Sequence, residues 1–290
     1  MTDPRVRMEL DEATGIARLT LDNPERRNAY DPAMRTALGE HLDALAADDA
    51  VKVVVLRGED GCFSAGADMG NAYSWYGDGD HDRGGDRRRP SQRRRLGVDR
   101  RTFAFYHDLV GYPKVTVAEV RGYALGGGLE IALMADIAVV ARDAVIGTPA
   151  TRFLGPALGS LHLFFHRLGP VLARRLLLTG DTIPASDVEH LGVFTEVIDD
   201  ADVEARAAWW AAKAARMPAD GIVLAKEAFR LVEQLQAYQG EEVTSYLVHA
   251  FGTNLRFEEG EFNFVKARAE HGTRRAFELR DAHFDVPEPG

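Results

Sequence analysis

Cysteine is almost missing from this chain: its 290 residues contain one, Cys62. No intrachain disulfide can form, and there is no cysteine cluster for zinc. Long apolar runs are missing too. No stretch could span a bilayer, and the opening Met-Thr-Asp-Pro-Arg lacks the apolar region of a signal peptide. The expectation is a cytoplasmic protein without membrane attachment. Positive charge is in deficit. With 35 Lys and Arg against 45 Asp and Glu, the formal net charge is −10, which argues against nucleic acid as a partner. Three apparent motifs also lack a required member. Asp78, Asp80 and Asp82 have calcium-loop spacing, but Arg83 stands where glycine is needed and Arg89 where the bidentate glutamate belongs. His162 and His166 are four apart, but Leu163 replaces the glutamate of a zinc-protease helix. Ser160, in Leu-Gly-Ser-Leu-His, is not a nucleophile elbow. No metal site is expected.

What remains is ordinary globular material, 46% hydrophobic and 28% charged, enough for one large domain or a core with a smaller appendage. Val6–Leu10 and Ile16–Leu21 read as a hairpin around Asp11-Glu-Ala-Thr-Gly15. Asp31-Pro32 reads as the cap and first turn of an amphipathic helix carrying Met34, Leu38, Leu42 and Leu45. Val51–Leu56, Lys114–Val120, Ile137–Val140 and Phe194–Ile198 read as further strands, and 144–159 as an irregular connector. Residues 70–101 differ from their surroundings: aromatics, then an acidic glycine-rich piece, then arginines. They read as a loop or lid, with a helix resuming at Phe103–Leu109. Val171–Leu178 reads as a helix ending at Gly180, and Ser186–Leu191 as a short one. Beyond Asp202 the pattern is helical, at about 203–216, 220–236, 240–254 and 258–279. The aromatic tail needs its own core or a neighbouring subunit to bury against.

One stretch invites a chemical reading. An apolar run, Val115 to Val120, leads into Gly122-Tyr-Ala-Leu-Gly126-Gly127-Gly128-Leu-Glu130, and an apolar helical segment follows. Glycines at such a turn let a ligand approach the backbone. The first N–H groups of the helix have no internal partner. Glu130 lies one turn in, on about the same face as Gly127. The stretch therefore offers an oxyanion donor beside a carboxylate. Close helix packing, with Glu130 favouring the helix dipole, is the other reading of the same residues.

Two stretches together resemble the crotonase (enoyl-CoA hydratase/isomerase) superfamily: Cys62-Phe-Ser-Ala-Gly-Ala-Asp68-Met, and Gly122 through Glu130 to Asp136. Asn23-Pro, Asn28-Ala29 and Leu178-Thr-Gly-Asp-Thr-Ile-Pro through Gly192 support it, over about residues 10–200. The resemblance implies an α/β spiral of repeated ββα units in residues 1–200, with 70–101 as a loop or lid insertion. It also implies a helical C-terminal region, 201–290, that builds trimers or hexamers. The ligand would be an acyl-CoA thioester, with no cofactor beyond the CoA of the substrate. Its oxygen would sit between the backbone N–H groups of Ala67 and Gly127, with Glu130 as acid or base. Ala65, Asp68, Met69 and Gly126 would line the CoA and thioester edge, and Arg26, Arg27 and Ala29 the adenine and phosphates. Tyr73, Trp75 and His107 would belong to the segment covering the acyl pocket.

The departure from the family lies in a second motif, Gly-x-Pro-Glu, which here reads Gly147-Thr148-Pro149-Ala150. Family hydratases use a second glutamate at that place, and alanine cannot transfer a proton. Three accounts follow. Glu130 alone serves a one-base reaction; or a substrate carboxylate, His107 or Tyr73 supplies the missing group, with Arg152 as an anion partner; or the chain binds acyl-CoA with little hydratase activity. RNA binding through the arginines at 87–101 is a further reading, and the net charge opposes it.

Overall fold

The computed structural model describes residues 3–71, 91–153, 160–238, 245–250, 257 and 260–285. Its strands are β1 (Val6–Asp11), β2 (Ile16–Leu21), β3 (Val53–Gly58), β4 (Val115–Val120), β5 (Tyr123–Leu125), β6 (Ile137–Ala141), β7 (Val145–Gly147), β8 (Thr182–Pro184) and β9 (Glu196–Ile198). Its named helices are α1 (Pro32–Ala47), α2 (Gln92–Val110), α3 (Gly127–Met134), α4 (Leu161–Thr179), α5 (Val203–Ala215), α6 (Ala219–Glu233) and α7 (Phe264–Phe284), with 3-10 turns between them, a π turn (Gln234–Tyr238) after α6, and helical backbone at 245–250.

The expected hairpin is present: β1 pairs antiparallel with β2, from Val6 opposite Leu21 to Asp11 opposite Ile16. From β2 onward the main sheet is parallel, in the order β1-β2-β3-β4-β6-β9. Parallel strands need crossovers, so helices cover the sheet and the middle strands are buried on both faces. Every residue of β4 is buried, Thr116 and Glu119 included. Burial pushes the Glu119 carboxyl above the usual carboxylate range, against the pull of Arg57 at 3.9 Å.

A second sheet, β5-β7-β8, corrects the reading of 144–159 as an irregular connector, since its first residues form β7. Each of these strands has three residues, too few for a periodicity to register. The reading of 70–101 as a loop is corrected in its last part. Helix α2 begins at Gln92, where the Ser91 side chain accepts from the Arg94 N–H at 3.3 Å. Its buried face is Arg95, Asp99, Phe103, Tyr106 and Leu109. The spacing is helical, but the first two members are charged and conceal the stripe. Both are covered by residues 245–250: Asp99 pairs with His249 at 3.0 Å, and Arg95 Nη2 donates to the Ala250 carbonyl at 3.3 Å.

Helix α4 starts ten residues earlier than the expected Val171 and is broken inside at Gly169 (φ 72°) and Pro170. It ends at Gly180, in the left-handed conformation (φ 66°), as expected. Among the described residues, part of the aromatic tail buries within its own chain: Phe264 and Ala276 of α7 pack with Phe153, bordered by Met69, Phe262, Ala267 and Phe277.

Helix α6 is tied to the sheet by one buried junction. Asp136 accepts from the Thr116 N–H (2.8 Å) and hydroxyl (3.0 Å), and from Lys226 Nζ at 2.6 and 2.8 Å. Removing one partner of such a pair leaves the other charge buried. We expect Lys226→Ala to cost about 2–3 kcal/mol in chemical denaturation, at or just below the range for a fully buried pair because Asp136 keeps its Thr116 bonds and some exposure. A loss under about 0.5 kcal/mol would assign the junction no structural role.

Candidate active site

The site is assembled where three backbone segments run side by side. After β3 the chain returns alongside β5: Phe63 N–H donates to the Arg121 carbonyl (2.8 Å), Ser64 N–H to Tyr123 (2.8 Å), and Leu125 N–H to Ser64 (3.0 Å). On its other side, Tyr30 N–H donates to the Gly66 carbonyl and Asp68 N–H to the Tyr30 carbonyl, both at 2.9 Å. Asn28, fully buried and in the left-handed region (φ 53°), anchors this arrangement. Its Nδ2 donates to the carbonyls of Glu59 (2.9 Å) and Cys62 (2.5 Å), and its Oδ1 accepts from Asn23 N–H (2.8 Å). Ser64, also fully buried, donates to the Asn28 carbonyl (2.8 Å) and accepts from Gly66 N–H (3.0 Å). The Asn23…Asn28 pair of the sequence motif is therefore scaffolding.

The glycines permit the contact. Gly66 has φ +84°, and a Cβ there would collide with the Leu125 carbonyl and lie 3.1 Å from the Gly127 nitrogen. A Cβ on Gly128 would collide with the Ser64 carbonyl. Two N–H groups emerge beside this junction. In the parallel bridge between Tyr30 and Ala67, the bonds are made by residues 66 and 68, so the Ala67 N–H faces away from Tyr30. Gly127 is the first residue of α3, whose opening N–H groups have no carbonyl in the helix. Among the described residues, neither N–H finds an acceptor. Gly126 between the segments has φ +52°, and a side chain there would meet nothing within 4 Å. We expect Gly66→Ala to be severe: strained backbone plus a backbone collision should cost at least about 2 kcal/mol and take the site out of register. Thermal melting and acyl-CoA calorimetry would check it; near-normal values for both would refute the packing argument.

Glu130 sits in the first turn of α3, 2% exposed, its N–H donating to the Gly126 carbonyl at 3.0 Å. A carboxylate here is favoured by the helix dipole. Facing Gly127 are two buried phenols, Tyr30 and Tyr106, whose hydroxyls are hydrogen-bonded to each other. A Cβ on Gly127 would collide with both. Burial pushes both phenols well above the usual tyrosine range, and the charge of Glu130 adds to the effect. Both are therefore protonated at neutral pH. Neither tyrosine was singled out by the sequence, although each adjoins a residue that was, Ala29 and His107. Residues 30 and 106 are brought together by the fold, and no local pattern signals that.

The strand after Glu130's neighbour delivers Ala150. β5 and β7 are parallel, with Leu125 opposite Gly147, and Gly126 N–H donates to the Gly147 carbonyl at 2.9 Å. From that shared edge one chain enters α3 and the other a 3-10 turn, Pro149–Arg152. Ala150 is half-buried there. Thr148 and Thr151 flank it, their hydroxyl oxygens buried with no hydrogen-bond partner among the described residues.

The other residues expected at the site divide into two groups. Arg26, Arg27, Ala29, Ala65, Asp68 and Met69 lie along one continuous edge. The half-exposed Arg26 bonds Asp68 at 2.5 Å, and Asp68 also accepts from Gly70 N–H at 2.8 Å. The Arg27 guanidinium lies 4.4 Å over the Tyr123 ring, and Arg27 carbonyl accepts from Ala65 N–H at 2.8 Å. The Met69 carbonyl accepts from Arg268 of α7, so the tail reaches this edge. Away from it, Arg152 is engaged at the end of α4, donating to the Thr179 carbonyl (2.9 Å) and Asp181 (3.0 Å). His107 follows Tyr106 on α2 and so points about 100° away round the helix. Tyr73 and Trp75 lie outside the described residues. Among the described residues, no His, Cys, Asp or Glu cluster could hold a metal, and no helix is long and apolar enough to cross a membrane.

The chain has relatives in sequence and in fold. Over 281 residues, covering 95% of this chain and all of that protein, the sequence is 30% identical to a "probable enoyl-CoA hydratase echA8" of Mycobacterium bovis. It is 29% identical over 223 residues to the 2,3-dehydroadipyl-CoA hydratase of Escherichia coli, covering 77% of this chain and 81% of that one. An enoyl-CoA hydratase/isomerase from Xanthobacter autotrophicus Py2 superposes with a TM-score of 0.78 at 27% identity, covering 98% of this chain and all of that one. Residues 11–273 match the enoyl-CoA hydratase/isomerase family as a whole. With that match across nearly its full length, on a parallel-sheet fold with a helical C-terminal region, the chain belongs to the enoyl-CoA hydratase/isomerase family.

Proposed function

We propose that this chain acts on an acyl-CoA thioester by single-base enolate chemistry. The observation that carries the reading is two neighbouring backbone N–H groups, Ala67 and Gly127, that have no acceptor among the described residues, on the helix start that carries the buried Glu130. The thioester oxygen takes the place of the missing acceptor. Glu130 removes a proton from the carbon chain next to the thioester, the C–H electron pair moves onto the carbonyl oxygen, and the two N–H groups share the charge. Such donors act without reorganising at the moment of reaction; loss of one in another enzyme costs about 2.7–4 kcal/mol. The protonated Glu130 then returns the proton to another carbon, which moves the double bond. Adding water needs a further group to activate or deliver it, and Ala150 offers none.

CoA enters as part of the substrate, with Arg26 and Arg27 beside its phosphates, and no separate cofactor takes part. Strongly exposed apolar side chains, Val171 and Leu178 on α4 and Leu224 and Leu235 in and beyond α6, suit a homo-oligomer, a trimer or a pair of trimers. The deciding experiment incubates the protein with 2-enoyl- and 3-enoyl-CoA thioesters in D2O. Deuterium entering the acyl chain and double-bond migration support the reading. Absence of both, with calorimetric binding retained, supports the second reading, an acyl-CoA binder, which Ala150 favours. Absence of binding to any CoA ester would sink both.

A further inference from the structure

We propose that the cavity between α2, α4 and α6 is a second ligand site, which takes a small molecule bearing carboxylate or phosphate oxygens. It is independent of the enolate chemistry. The cavity measures about 230 Å3. Met134 and Leu163, both buried, line it together with the Lys226–Asp136 pair. Val110, the last residue of α2, lines it too, and the exposed Phe229 and Arg230 of α6 stand at its rim. Met134 ends the helix that Gly127 begins. At 1.5 Å per residue, the cavity therefore lies about 10 Å along α3 from the candidate active site.

Three cations line this space: Lys226, Arg167 and Arg230. Lys226 is matched by Asp136 at 2.6 Å. The other two are not: among the described residues, neither guanidinium makes a hydrogen bond or an ion pair. Arg167 Nε is shut off from solvent as well as from any acceptor. Arg230 rests over Gly111, just past the end of α2. A buried N–H donor without an acceptor costs stability, so native structures supply one. Water would satisfy the hydrogen bond but leave two like charges facing one space. An anion satisfies both demands, and the planar guanidinium fork matches two oxygens of a carboxylate or phosphate. The one other carboxylate of the lining is Glu233, which forms no ion pair with either arginine. Burial pushes it above the usual carboxylate range, against the pull of Arg167, His166 and Lys226, and Asp136 adds to the rise. Its opposition to an incoming anion is weakened accordingly. The apolar lining suits a short carbon skeleton behind the anionic group.

The test titrates the full chain calorimetrically with inorganic phosphate, glycerol phosphate, succinate and citrate at constant ionic strength. At least one probe should bind, one per chain, and whether it is a phosphate or a carboxylate names the ligand class. Arg167→Gln and Arg230→Gln should each weaken that binding by about 10–100-fold, the worth of a hydrogen bond to a charged group. Arg26→Gln, on the proposed acyl-CoA edge, should change it by less than about twofold. Should Arg167→Gln fail to fold, the exposed Arg230 still allows the comparison. Three results overturn the proposal. The first is no binding of any probe up to about 10 mM. The second is binding that Arg26→Gln abolishes, or that neither cavity variant alters, which marks an adventitious ion only. The third is an Arg230→Gln variant whose sedimenting mass falls while no probe binds the wild type, which would fill the cavity with a second copy of the chain.

Discussion

Glu130→Gln should reduce proton exchange into an acyl-CoA thioester by about 10²–10⁴-fold, the usual worth of a positioned acid or base. The substitution is nearly isosteric, and it leaves the N–H of residue 130 bonded to the Gly126 carbonyl, so α3 and its Gly127 donor stay in place. Binding of the CoA ester should therefore change by less than about threefold in calorimetry. This split is the informative part. Loss of turnover with intact binding is what removal of a group acting only in the transition state produces. The alternative reading of the glycine stretch, in which Glu130 serves the helix dipole and the glycines serve packing, predicts a modest loss of stability and unchanged exchange. Equal exchange in the two proteins would remove Glu130 from the chemistry.

Ala150→Glu should raise hydration of crotonyl-CoA by about 10²-fold or more, because it restores a second proton-transfer group. The local structure is ready for it. Residue 150 is half-buried on a turn that leaves the same sheet edge as α3, one strand over from Glu130. Thr148 and Thr151, two residues before it and one after, carry buried hydroxyls without partners among the described residues. The expected gain is in hydration alone, with double-bond migration little changed, as measured by following both products from one substrate. A variant that folds and binds the ester yet hydrates no faster would show that more than the missing carboxylate separates this chain from a two-glutamate hydratase. The two substitutions test different halves of the argument, the base that is present and the one that is absent.

Much of the site could be read without coordinates because its backbone demands are local. A strand, a run of glycines and a helix start leave N–H groups free wherever they occur, and Gly126, Gly127 and Glu130 lie within five residues. The same holds for Ser64 to Asp68, where small residues follow a buried strand. The covering elements were harder. The buried stripe of α2 opens with Arg95 and Asp99, whose burial depends on the partner segment 245–250, so periodicity in apolar residues missed its first half. Strands of three residues carry no period, which hid β5, β7 and β8. Arg152 reads in sequence as an anion partner, and only the fold shows that the anion it pairs with in this chain is Asp181, at the end of α4.

The sequence by itself determined which residue types stand close together: glycines leading into Glu130 at a helix start, small residues from Ser64 to Asp68 after a buried strand, and, by the family resemblance, alanine where a second glutamate would be. The roles of Ala67, Gly127 and Glu130 belong to the proposed enolate chemistry. The tertiary structure decided what faces them. It set Gly66 against the Gly127 nitrogen, anchored the turn after β3 on Asn28, and brought Tyr30 and Tyr106 together on the face of Gly127. Contacts between residues 76 positions apart depend on how the strands order and the helices cross over, and no window of sequence contains that information.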